Sequence, residues 1–171
     1  TFISPFLLDD DITDINYNGT NLTLKHNQRG DLIPDEQPSS AEVKKLITSI
    51  MNIQRKQITN SDPIADTEIG FLRINSLHDA VSPDGMTFSL RVSRPRLAVS
   101  SISEMTVNNN KEIEELLKTL MMADSNIIIS GRTGSGKTEL QKLLVGYTEG
   151  RIFLIEDTRD SHIKALYPDK D

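Results

Sequence analysis

The sequence predicts an α/β protein in two parts, a small N-terminal α+β domain followed by a phosphate-loop domain, and three observations predict it. Residues 131–138 spell Gly-Arg-Thr-Gly-Ser-Gly-Lys-Thr, the G-x-x-x-x-G-K-[ST] pattern, set between an apolar run and a helical pattern. Residues 71–92 hold two segments of alternating polarity around a Ser-Pro-Asp-Gly turn. Ahead of them runs an amphipathic helix with its own start signal. The chain has 171 residues, 36% of them hydrophobic and 26% charged, an ordinary soluble globular composition with room for one domain or two small ones.

In the first region, from Thr1 to about Arg96, Asn18-Gly19 marks a turn. Leu22 and Leu24 then alternate with polar residues before a second turn near Arg29-Gly30, which predicts a small meander. Ser39-Ser40-Ala41-Glu42 forms a capping box, and Val43, Leu46, Ile47, Ile50 and Ile53 follow at helical spacing to give a core-facing helix. Phe71 to Leu77 and Met86 to Val92 then predict an antiparallel hairpin. Leu72 and Ile74 share one parity, as do Phe88, Leu90 and Val92, so Arg73 and Arg91 project from the opposite, more polar face. Two functions are open for them: arginine fingers that neutralise a transferred phosphoryl group, or solvated surface charges, the commoner case on an antiparallel sheet.

A boundary is expected near Leu97 to Ser103, where Ser93-Arg94-Pro95-Arg96 and Ser100-Ser101-Ile102-Ser103 lack periodicity. The predicted division is a first domain over 1–99, a linker over 100–107 and a second domain over 108–171. This second domain opens with a scaffold helix from Asn108 to Met122, capped by Asn109 or Asn110 and carrying Ile113, Leu116, Leu117, Leu120 and Met121 on one face. Asn126-Ile127-Ile128-Ile129-Ser130 suits a buried parallel strand. Glu139, Leu140, Leu143 and Leu144 begin a helix directly behind the loop, and Arg151 to Ile155 suits another strand.

The loop's chemistry follows from its residue types. Gly131, Gly134 and Gly136 can take backbone angles closed to other residues, so the amides of Arg132, Thr133, Gly134, Ser135 and Gly136 converge on phosphate oxygens at the positive end of the next helix. Lys137 reaches the β- and γ-phosphates, and the Thr138 hydroxyl is a ligand for Mg²⁺. A nucleoside triphosphate, ATP, with Mg²⁺ is therefore the expected ligand. Glu156 and Asp157 fall where the second strand would end, the crevice in which open α/β sheets bind ligands. Glu156 is a candidate to polarise the attacking water and Asp157 to support Mg²⁺, with a capping or loop-solvating acidic pair as the equal alternative.

Other classes are excluded or left weak. There are no cysteines, so disulfides and cysteine-based zinc sites are out. A net charge of -6 argues against direct nucleic-acid binding. No apolar run approaches the roughly 20 residues of a membrane-spanning helix, and no signal peptide is visible, although a chain that begins at Thr1 leaves room for a removed N-terminus. His26, His78 and His162 show no metal-ligand spacing.

Taken together, Ile12 to Gly19, the Arg73 and Arg91 strands, Ser130 to Thr138 and Ile155-Glu156-Asp157-Thr158 resemble the type II/type IV secretion traffic ATPases, in the same order and over nearly the whole chain. The resemblance implies an N-terminal α+β domain hinged to a RecA-like P-loop ATPase domain in a homo-hexameric ring. It implies Glu156 as the catalytic glutamate of the Asp box, and Arg73 and Arg91 as arginines reaching the phosphates, with Arg94 and Arg96 near the linker as helpers. It also implies cytoplasmic placement at the inner membrane beside secretion or pilus-assembly proteins. Family members continue into a Walker B segment and a His box, which this chain lacks, so a fragment that hydrolyses ATP poorly alone is expected. Another P-loop enzyme, such as a nucleotide kinase or a DNA-translocating ATPase, and a non-catalytic interaction module are the alternatives.

Overall fold

A computed structural model describes residues 1–157 and 161–170, which leaves Thr158 of the Ile-Glu-Asp-Thr segment outside the described residues. The fold is mixed α and β, and chain contacts divide it into two compact units, Thr1–Arg94 and Pro95–Asp171. Among the described residues no helix is long and apolar enough to cross a membrane.

The first unit runs α1 (Ser4–Leu8), β1 (Ile12–Tyr17), β2 (Leu22–His26), β3 (Gly30–Leu32), α2 (Ser40–Ile53), β4 (Ile64–Ile69), β5 (Leu72–Leu77) and β6 (Thr87–Val92). Its six strands form one antiparallel sheet in the order β3-β2-β1-β6-β5-β4. The expected meander and hairpin are both present, β1-β2-β3 and β5-β6. Helix α2 starts at a true capping box, in which Ser39 N–H donates to Glu42 Oε2 at 2.9 Å and Glu42 N–H to Ser39 Oγ at 3.3 Å. Val43, Leu46, Ile47, Ile50 and Met51 of this helix join Ile15, Tyr17, Leu22, Ile74, Phe88 and Leu90 of the sheet in one buried core. Ile53, expected on the core face, is 67% exposed. The helix ends there, and Met51, four residues after Ile47, fills the inward position instead.

Burying α2 on one sheet face leaves the other face for polar side chains, and register aligns their charges. Glu68 stands opposite Arg73, Arg73 opposite Arg91, Arg91 opposite Asp14, Asp14 opposite Lys25, and Lys25 opposite Asp31. One row thus crosses all six strands as acid, base, base, acid, base, acid. At the β4 edge the Lys56 ammonium donates to the Asp66 carbonyl at 2.6 Å, a charged cap of the kind that discourages edge-to-edge pairing.

The second unit contains a 3₁₀ turn (Ser103–Met105), α3 (Lys111–Met122), α4 (Lys137–Tyr147) and α5 (Ile163–Leu166). Asn110 caps α3 by accepting from the Glu112 and Ile113 amides at 2.9 and 3.3 Å. The helix begins after the expected Asn108 because Asn108 and Asn109 adopt left-handed angles, φ 62° and 50°. Ile102, Leu143 and Leu144 are buried at its small core, with Leu117, Met121, Leu140, Ile127 and Ile129 packed around them.

Neither apolar run beside the phosphate loop forms a strand among the described residues, which corrects the parallel pair expected over 126–130 and 151–155. Ile127 and Ile129 turn towards α4, but Ile128 is 93% exposed; Phe153 and Ile155 are 85% and 96% exposed. An apolar run becomes a strand only when a neighbour takes its N–H and C=O groups, and neither run has that neighbour among the described residues.

The Tyr147 hydroxyl donates to Glu114 Oε1 at 2.7 Å, and Ser103 N–H donates to Glu114 Oε2 at 3.0 Å, tying α4 and the 3₁₀ turn to α3. Burial first, then the Glu114 carboxylate, pushes the Tyr147 phenol up to about 12, while the tyrosine hydrogen bond holds Glu114 below the usual carboxylate range. A phenol whose folded pKa is raised stabilises the fold in full below its unfolded value and loses that contribution as pH rises through the folded value. Stability should therefore fall between about pH 10 and 12 through this group, and Tyr147→Phe should remove that component from a chemical-denaturation series taken across the range.

Candidate functional site

The loop between Ile129 and α4 is shaped by its glycines. Gly134 and Gly136 sit at φ 79° and 83°, and Gly136 is the residue from which α4 springs. A Cβ at Gly131 would stand 2.8 Å from Ser135 Oγ, and one at Gly136 would stand 2.9 Å from Met105 Cε. Ser135 N–H closes the turn onto the Arg132 carbonyl at 3.2 Å, and Lys137 Nζ folds back to donate to the same carbonyl at 2.8 Å. Gly131 to Ser135 and Thr138 are exposed, while Gly136 and Lys137 are half-buried.

This arrangement presents backbone donors at the start of a helix, a long flexible cation and a hydroxyl on one largely exposed turn. It fits a polyphosphate with Mg²⁺: the glycines leave room for close approach, the helix end is positive, and Lys137 can exchange the Arg132 carbonyl for phosphate oxygens. Gly136→Ala tests the fit from the backbone side. The left-handed angle alone should cost about 1–2 kcal/mol, visible as a lower Tm, and Met105→Ala in the same chain should relieve only the added steric part.

The other candidates are placed as follows. Arg73 and Arg91 lie on the open face of the sheet, directly opposite each other across β5 and β6. Like charges so paired repel; Asp66 answers with an ion pair to Arg73 at 3.0 Å, and Asp14 flanks Arg91 in register. Arg94 is not available as a helper for phosphates. Its guanidinium, 12% exposed, donates to the carbonyls of Leu7, Asp9 and Ile12 at 3.0, 2.8 and 2.9 Å and pairs with the Asp10 carboxylate at 3.2 Å. It is a clamp on the α1–β1 connection. Glu156 is exposed, and its Oε1 accepts the Ser161 N–H at 3.3 Å. With Leu154, His162, Ile163, Lys164 and Ala165 it lines a cavity of about 550 Å³. Among the described residues no hydrogen bond or ion pair joins Glu156 or Asp157 to Lys137 or Thr138.

Sequence spacing missed one cluster: Asp9, Asp11 and His26 bring their ligand atoms within 4.8 Å of one another. His26 Nδ1 accepts the Gln28 and Arg29 amides at 3.1 and 3.3 Å, which assigns the proton to Nε2, facing Asp9. Asp11 is occupied by Gln28 Nε2 at 2.9 Å. These are turn-forming bonds between α1 and the end of β2.

The model of the type II/IV secretion system protein family matches residues 10–166. The chain belongs to that family. As a member of the type II/IV secretion family it is 35% identical over 165 residues to an uncharacterized protein of Bacillus anthracis, covering 94% of this chain and 37% of that protein. It is 24% identical over 151 residues to Protein VirB11 of Rhizobium radiobacter, covering 67% of this chain and 44% of the relative. The chain thus spans less than half the length of these curated relatives. Among solved structures, the VirB11 ATPase of the Brucella suis type IV secretion system, crystallised in complex with sulphate, aligns with a TM-score of 0.47 at 15% identity, over 94% of this chain and 59% of that one.

Proposed function

We propose that this chain is the nucleotide-binding portion of a secretion-machine motor ATPase, with the unit Thr1–Arg94 as its α+β domain and Pro95–Asp171 as part of its ATPase domain. The observation that carries the proposal is the turn in which two left-handed glycines lead into α4 and the Lys137 ammonium rests on the Arg132 carbonyl. Family membership supports it. In this reading the amides of residues 131–136 and Lys137 hold the phosphates, Thr138 takes Mg²⁺ and Asp157 supports it. Glu156 orients and deprotonates the attacking water. Bound Mg²⁺ would supply charge neutralisation at the β- and γ-phosphates.

Arg73 and Arg91 serve as the second source of positive charge. Their enforced proximity supports that role, because a pair of opposed guanidiniums gains most from a shared anion. A homo-hexamer at the inner face of the cytoplasmic membrane, working beside secretion or pilus-assembly proteins, completes the proposal, with no direct nucleic-acid contact.

Titration with a fluorescent ATP analogue tests the core of it. Saturable uptake that requires Mg²⁺, and that ATP displaces while AMP does not, is the expected result. Absence of uptake with and without Mg²⁺ would overturn the proposal in favour of a purely interactive module.

A further inference from the structure

The first turn of α4 makes contacts that no phosphate-loop motif requires. Glu139 Oε2 accepts the Ala98 N–H at 2.9 Å, and Glu139 Oε1 pairs with the Lys142 ammonium at 2.7 Å. Lys142 donates in addition to the Arg96 carbonyl at 3.3 Å. The Lys142 side chain is only 5% exposed and that of Glu139 23%, so an unpaired charge here would be costly. Leu97 and Val99, interleaved with those anchor points, pack on the apolar cluster around Leu143 and Leu144. The stretch 96–99 is therefore fastened to the very helix that begins with Lys137 and Thr138.

Glu139 is the third residue of that helix, and its carboxylate draws on the helix's positive end. A polyphosphate on the loop draws on the same end and carries the same sign. The two anions repel, so a bound phosphate raises the cost of holding the Glu139 carboxylate against Ala98 and Lys142. We propose that Glu139 and Lys142 form a latch on residues 96–99, closed while Lys137 rests on Arg132 and loosened when a triphosphate occupies the loop. The inference rests on the assignment of the loop as a triphosphate site. Reciprocity requires that loosening the latch by neutralising Glu139 also tighten triphosphate binding.

Trypsin reads the latch directly, because the Arg94–Pro95 bond resists it and the Arg96–Leu97 bond does not once its backbone is released. In the wild-type chain, mass spectrometry should find slow cleavage after Arg96, and saturating Mg²⁺ with an unhydrolysable ATP analogue should raise the rate about fivefold or more. Glu139→Gln should be cleaved fast without nucleotide, respond little to it, and bind the analogue severalfold tighter. Lys142→Met, which removes the donors from a buried position at similar volume, should also be cleaved fast, and a cooperative melt for each variant guards against simple unfolding. Equal nucleotide-free rates for Glu139→Gln and wild type would overturn the latch. So would an unchanged wild-type rate in a sample where the fluorescent titration shows the analogue bound. A titration showing no binding would instead remove the phosphate-site assignment and the nucleotide half of the proposal with it, while the comparison of nucleotide-free rates still decides whether the latch exists.

Discussion

Lys137→Ala is expected to lower affinity for a triphosphate by roughly one to two powers of ten, since a hydrogen bond to a charged group is worth about 1.5–3 kcal/mol. The effect should be confined to binding. Among the described residues the Lys137 ammonium donates only to the Arg132 carbonyl, on a largely exposed turn that water can serve. The turn itself is closed by Ser135 N–H, independently of the lysine. Tm should therefore move little, while titration with a fluorescent ATP analogue should show the loss. Lys137→Arg keeps the charge but brings a planar fork in place of a compact ammonium, and should recover only part of the affinity. Undiminished affinity in Lys137→Ala would mean that the amides alone carry the site, or that the nucleotide binds elsewhere.

The second large effect is on stability. Arg94→Ala deletes a guanidinium that serves the carbonyls of Leu7, Asp9, Asp10 and Ile12, pairs with the Asp10 carboxylate and lies 5.8 Å above the Phe71 ring. Those carbonyls turn the chain from α1 into β1, and the Asp9 carbonyl also accepts the Ile12 N–H at 3.3 Å. The loss should be about 2–4 kcal/mol, below the sum of the separate bonds because water replaces some of them. For a unit of this size that is a fall in Tm of roughly 10 °C or more. Arg94→Lys should lie between, since one ammonium cannot meet four carbonyls set around a planar fork. Differential scanning calorimetry on the three chains decides it. Melting curves that superimpose would show the α1–β1 connection to be held by something other than Arg94.

How much of this was legible depended on the range of the interaction. The phosphate loop could be read from residues 131–138 because its geometry is local: glycine positions, then lysine, then helix. Helix α2 was equally plain, since a capping box and an apolar stripe are satisfied within four residues of each position. The β5–β6 hairpin followed from alternation, which forces Arg73 and Arg91 onto one face. Strand β4 was missed, because Asp66, Thr67 and Glu68 look like a loop. They form a strand because β5 supplies a full ladder from Ile64 to Ile69, with Ala65 and Thr67 buried and Ile69 packed against the core. The opposite error arose at Ile127–Ile129 and Ile152–Ile155, where β-branched content signals a wish for burial and says nothing of who pairs. Least legible were contacts that leave no pattern at all. Arg94 binds carbonyls more than 80 positions earlier, and Glu139 reaches an amide 41 residues back. A carbonyl carries no residue type, so such bonds write nothing into the chain.

The six-strand row on the open sheet face has a kinetic corollary. Glu68, Asp14 and Asp31 balance Arg73, Arg91 and Lys25, so the row sums to zero and its field dies away within a few ångströms of the surface. The chain as a whole carries -6. An anion diffusing towards the arginine doublet would thus meet a distant barrier before any near attraction, and capture there would be slow. Added salt lowers the barrier more than it weakens the contact, so on-rates at this face should climb with ionic strength, the reverse of the usual electrostatic steering.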